Sequence, residues 1–198
     1  MYELPATKLI MEKPELYFPR DVEWREWLEI YHESSPQGVH LVFYKLETGL
    51  ATMRWEEAVK VALCFGWIDG VVKSLGNGKR IQYFCPRRPK SGWSALNKQY
   101  LEELDTMGLL HSSGRARIEM AKRDGSWTKL DAIERLEVPA ELMTAFAHNE
   151  LAFSNFQAFS RGYRKSYIRW VHEAVRPETR ARRVAMVISL CERNIKSR

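Results

Sequence analysis

The sequence predicts an α+β protein: a small antiparallel-containing sheet with helices in the N-terminal part, followed by an all-helical C-terminal module. Three observations carry this expectation. Val39-His40-Leu41-Val42-Phe43-Tyr44 is a short run apolar on both faces, as in a strand with neighbours on either side. Leu75-Gly76-Asn77-Gly78 separates two apolar runs, and Asn-Gly is the strongest short-range hairpin signal because both residues accept positive φ. From Ser94 onward the pattern is mostly helical.

Taken in order, the elements follow from spacing and punctuation. Trp24, Trp27, Leu28 and Tyr31 fall at i, i+3, i+4 and i+7 behind Asp21, a potential cap, so residues 21–33 read as a helix whose tryptophans anchor a core. Ser34-Ser35-Pro36-Gln37-Gly38 breaks the chain, and Val39–Tyr44 then runs as a central strand. A second helix covers about 54–65 through Trp55, Ala58, Val59, Ala62 and Leu63. Glu56 and Glu57 suit its positive end and Gly66 its stop. The hairpin runs from Trp67 to Lys73 and back from Arg80 to Cys85, where Pro86 ends it.

Beyond it, Leu96, Tyr100, Leu104 and Met107 form one stripe between Ser94 as cap and Gly108 as stop. Another helix opens at Ser112 or Ser113 and closes near Asp124-Gly125. Residues 126–138 are less periodic, and Val138-Pro139 marks the expected boundary between modules 1–138 and 139–198. Short helices are expected near 140–147 and 150–158, then a longer one over 161–175 with Tyr163, Tyr167, Trp170 and Ala174 on one side. The last starts at Pro177 and buries Val184, Ile188 and Cys191.

Composition narrows the function classes. At 45% hydrophobic and 28% charged residues, the chain is neither disordered nor fibrous. It has no run of ~18 apolar residues that would span a membrane. Met1 to Lys8 lacks a basic flank followed by an apolar core, which argues against a secretory leader. Cys64, Cys85 and Cys191 are odd in number and lack a Cys-x-x-Cys pair, against a disulfide scaffold and a zinc site. These features point to the cytoplasm, with no metal and no cofactor.

The net charge of +6 is concentrated at one end. Residues 139–198 hold eleven Lys or Arg against five acids, and the first 138 residues are balanced. Such asymmetry suits an anionic small molecule or an acidic protein, with nucleic acid the weaker alternative for want of a reading motif. Arg176, Arg180, Arg182 and Arg183 form the expected basic surface, the competing reading being a merely solvated helix face.

Catalytic templates are missing. There is no Gly-x-Ser-x-Gly, no phosphate-cradling Gly-x-x-x-x-Gly-Lys, no dinucleotide fingerprint and no His-Glu-x-x-His. No template assigns a catalytic residue; in the alternative reading, an enzyme acting on a small anionic metabolite, Asp69 serves as acid/base and Arg87 as the anchor. One segment has the content of a binding site. Asp69 interrupts an apolar strand, where a carboxylate is costly unless paired or solvated. Arg80, Arg87 or Arg88 could neutralise it, either as a structural clamp or as part of an anion or sugar pocket. In the pocket reading Trp93 supplies an apolar wall, and Ser91 and Asn97 lie in the same segment. His32 and Lys45 approach this region if the first strand neighbours the hairpin.

Several motifs carry a family likeness. Ala62-Leu63-Cys64-Phe65-Gly66-Trp67-Ile68-Asp69-Gly70, Pro86-Arg87-Arg88 and Ser91-Gly92-Trp93-Ser94 with Asn97 resemble signatures of the YdeI/OmpD-associated, or bacteriocin-protection, family. So do Ala121 to Trp127 and the tail Arg176-Pro177-Glu178-Thr179-Arg180-Ala181-Arg182-Arg183. The likeness runs from about residue 20 to 190, its last part resembling the family's short helical domain. It departs in the turn, where relatives often carry an acid after the leucine, and at Cys85, where a small polar residue is usual. The resemblance implies a link to stress response, to antimicrobial or bacteriocin resistance, and indirectly to an outer-membrane porin. It transfers no reaction.

Overall fold

In the computed structural model, which describes residues 13–197, four strands form one sheet: β1 (Glu15–Tyr17), β2 (Val39–Tyr44), β3 (Trp67–Gly76) and β4 (Lys79–Pro86). Their order is β1-β2-β4-β3, so the run that is apolar on both faces does lie inside the sheet. β1 pairs parallel to β2; β2 with β4 and β4 with β3 are antiparallel. Asn77 and Gly78, at φ 47° and 71°, make the tight turn between β3 and β4. The β3–β4 register breaks twice, between Asp69 and Val72 and between Ser74 and Gly76. The reading of residues 1–8 as lacking a leader lies outside the described residues.

Two helices, α1 (Asp21–Tyr31) and α2 (Trp55–Cys64), pack with this sheet. Trp24 of α1 is fully buried, edge-on to Trp67 and Phe84 of the sheet and stacked with Trp27. Its indole N–H donates to the Ala58 carbonyl at 3.1 Å, which ties α1 to α2. α3 (Ala95–Thr106) and α4 (Ser112–Arg123) follow. The expected α3 stripe needs correction: Tyr100, Leu101 and Leu104 are buried, whereas Leu96 and Met107 are exposed. The buried face turns by one residue to take in Leu101.

The chain divides into two compact units, one of residues 13–91 with 96–127 and the other of 92–95 with 128–197. The second unit is helical throughout: α5 (Asp131–Glu134), α6 (Ala140–Ala147), α7 (Glu150–Ala158), α8 (Arg161–His172) and α9 (Pro177–Glu192). Its core joins Leu142, Phe146, Phe156 and Phe159 to Tyr167, Ile168, Val171, Val184, Val187 and Cys191. α8 ends at His172 rather than 175, and its buried side is Tyr167, Ile168 and Val171, which leaves Tyr163 exposed. In α9 Val187 takes the fully buried place expected of Ile188, which packs at the margin. The Lys165 ammonium meets Glu134 Oε2 at 2.6 Å, and the Arg161 guanidinium donates to the Glu134 carbonyl, a polar clamp between α5 and α8.

Burial sets cysteine chemistry. It pushes the Cys191 thiol up to about 11 and raises that of Cys64, while Cys85 is half-buried. The native state therefore keeps the Cys191 proton while the unfolded chain loses it. This thiol's contribution to stability is full below its ordinary value of 9.0 and is lost as pH rises through about 11. Iodoacetamide at pH ~8 is expected to modify Cys85 first, and Cys64 and Cys191 only after unfolding, read by peptide mass mapping. Prompt native-state labelling of Cys191 would contradict this packing.

Candidate functional site

Asp69 sits opposite Phe84 at the start of β3, just before the first break in register. Its Oδ2 accepts from Gln82 Nε2 at 2.7 Å and from Trp55 Nε1 at 3.1 Å. Gln82, 3% exposed, comes from β4, and Trp55 opens α2. The carboxylate thus joins hairpin to helix through two neutral donors. It forms no ion pair with Arg80, Arg87 or Arg88, so the expected direct arginine partner is corrected. The physical reason is register: β4 sets the Gln82 amide against the carboxylate, while the Arg80 guanidinium lies over the Phe43 ring at 5.2 Å.

Arg87 is 5% exposed, and its backbone N–H donates to Gly66 O at 3.0 Å. Burial draws its guanidinium down to about 10, the charge of Asp69 opposing that shift from a distance. Arg88 is exposed, and Ser91 and Asn97 are half-buried. Trp93 is 2% exposed and belongs to the helical unit. Lys45 pairs with Glu47. Among the described residues, no group of three or more His, Cys, Asp or Glu is placed to hold a metal ion.

The basic residues of α8 and α9 differ in what they touch, and the Arg164 Nε is buried without a hydrogen-bond partner among the described residues. Arg180 pairs with Glu141 at 2.9 Å, and Arg183 donates to the Trp170 carbonyl at 2.6 Å while its guanidinium lies over that ring. Arg161 and Lys165 serve the Glu134 clamp. The guanidinium groups of Arg169, Arg176 and Arg182 form no hydrogen bond or ion pair among the described residues. Of the four arginines expected as the basic surface, two are engaged within the fold and two, Arg176 and Arg182, face outward.

A second concavity has no counterpart in the sequence reading. A cavity of about 300 Å³ in the first unit is lined by His32, Glu33, Pro36, Phe65, Gly66, Trp67, Pro86, Ser113 and Arg117. Four separate segments meet there, so no local motif could have announced it. The His32 imidazole stacks edge-on to His111, 4.9 Å between centroids, and packs on Phe65.

The chain thus joins a sheet-and-helix unit to an all-helical unit. Residues 16–117, just over half the chain, match a domain of unknown function (DUF8412), and the chain belongs to that family. Residues 135–194 match the family described as bacteriocin-protection, YdeI or OmpD-associated. The resemblance read from the sequence therefore holds in the C-terminal region, while the motifs around Asp69 fall within the DUF8412 match. No curated protein and no solved structure matches the chain.

Proposed function

We propose that this chain is a non-enzymatic binding module of the stress response, acting in the cytoplasm and holding an acidic protein partner on the exposed Arg176 and Arg182 together with the half-buried Arg169. The observation that carries the reading is that Arg169, Arg176 and Arg182 stay uncommitted while Arg161, Lys165, Arg180 and Arg183 are engaged internally. Unpaired guanidinium forks at a surface suit carboxylate recognition. The family of the C-terminal region supports a protective role, and its porin association enters as an indirect one. No helix among the described residues is long and apolar enough to cross a membrane.

The test changes Arg169, Arg176 and Arg182 together to Gln in the full chain, sparing Arg180 and Arg183. Binding to a polyglutamate peptide is expected to weaken about ten-fold, because each exposed pair contributes ~0.2–1 kcal/mol. Wild-type binding is expected to fall with added salt. Full peptide binding by the triple variant, together with full rescue of stress survival in a deletion strain, would exclude this surface.

A further inference from the structure

The cleft of the first unit is left unclaimed by that reading. We propose that it binds a free α-amino acid, the ligand's ammonium bridging His32 Nε2 and the Glu33 carboxylate while its carboxylate meets the Arg117 guanidinium.

The imidazole of His32 provides the first reason. Its Nδ1 lies 2.7 Å from the Leu28 carbonyl oxygen, which can only accept, so Nδ1 carries a proton and Nε2 is the nitrogen left for a ligand. The side chain is 10% exposed, and Nε2 is buried with no hydrogen-bond partner among the described residues. Its polar neighbour is Glu33 Oε1 at 3.7 Å, itself an acceptor. At 3.7 Å the two atoms are too far apart for a hydrogen bond to each other, and a cationic N–H donor would satisfy both once Glu33 moves away to make room. Glu33, 85% exposed, is free to swing aside and admit one.

Arg117 provides the second. It is half-buried, and its guanidinium makes no hydrogen bond or ion pair among the described residues. Its stem is held in place, the Cγ lying where a side chain at Gly66 would begin. A guanidinium fork without an anion is suited to a carboxylate. Pro36, Trp67 and Pro86 supply the apolar remainder of a cavity of about 300 Å³, room for the side chain of one small molecule. A plain carboxylate would leave the His32–Glu33 gap unfilled, and a plain amine would leave Arg117 unanswered. A zwitterion satisfies both.

The experiment uses the full chain. The protein amino acids are screened by thermal shift, and any hit is titrated calorimetrically beside its N-acetyl and amide derivatives. At least one free amino acid is expected to bind, with either blocked end weakening it about ten-fold or more. Arg117→Met keeps the stem beside Gly66 and Glu33→Gln alters an exposed side chain. Both are expected to keep the ligand-free melting temperature and to lose binding by the same factor. Silence across the screen, an N-acetyl derivative binding as tightly as its parent, or unchanged affinity in both variants would overturn the assignment.

Discussion

Gly114→Ala is expected to destabilise the first unit by roughly 3 kcal/mol, a fall of roughly 6–12 °C in melting temperature. Helix propensity alone predicts the opposite, since alanine inside a helix is worth ~1 kcal/mol over glycine. Packing decides the sign. A Cβ at 114 would lie 2.1 Å from the Cys64 carbonyl oxygen and 2.8 Å from its carbon, and both are backbone atoms that cannot rotate away. The same carbonyl accepts the His111 N–H at 3.0 Å, and the Ser113 hydroxyl donates to Phe65 O at 3.2 Å. The start of α4 thus satisfies carbonyls left open at the end of α2, and a methyl group would force the two helices apart. Denaturant unfolding measures the effect, and a variant as stable as the parent would mean that α2 and α4 are not in such close approach.

Asp69→Ala is expected to cost about 2–4 kcal/mol, because it strands the buried Gln82 amide and the Trp55 indole N–H together. Asp69→Asn is the informative companion. One amide oxygen can still accept from Trp55, and its NH₂ can donate to Gln82 Oε1, which is buried without a partner in the native arrangement. What the amide cannot supply is the negative charge that favours the buried Arg87 guanidinium. The asparagine variant is therefore expected to lose only about 1 kcal/mol. Equal losses in the two variants would mean that the charge, and not the hydrogen-bonded bridge, is what the site requires.

What could be read from the sequence was local. The hairpin follows from Asn77-Gly78 alone, and α1 from the spacing of Trp24 and Leu28, because turn chemistry and helical period act over a few residues. β1 could not be read: three residues are too few to show a period, and its place beside β2 depends on pairing at long range. Asp69 is legible in the sequence as a carboxylate needing company, yet charge alone favours arginine over the Gln82 that meets it. That choice is made by the alignment of β4 against β3 and by Trp55 arriving from α2. The His32–Arg117 cleft lay further out of reach, since its walls come from positions up to 85 residues apart.

Among the described residues β3 ends the sheet, with Val71 and Val72 turned toward solvent. Ten unbroken residues of such an edge would offer a ready row of amide and carbonyl groups to a foreign chain. The two irregularities leave no matched run longer than Val72 to Ser74, and Lys73 adds a charge in its middle. The same kinks that seat Asp69 therefore deny an incoming polypeptide a straight template, which should keep the protein from fibril growth at concentrations where a flat edge would seed it.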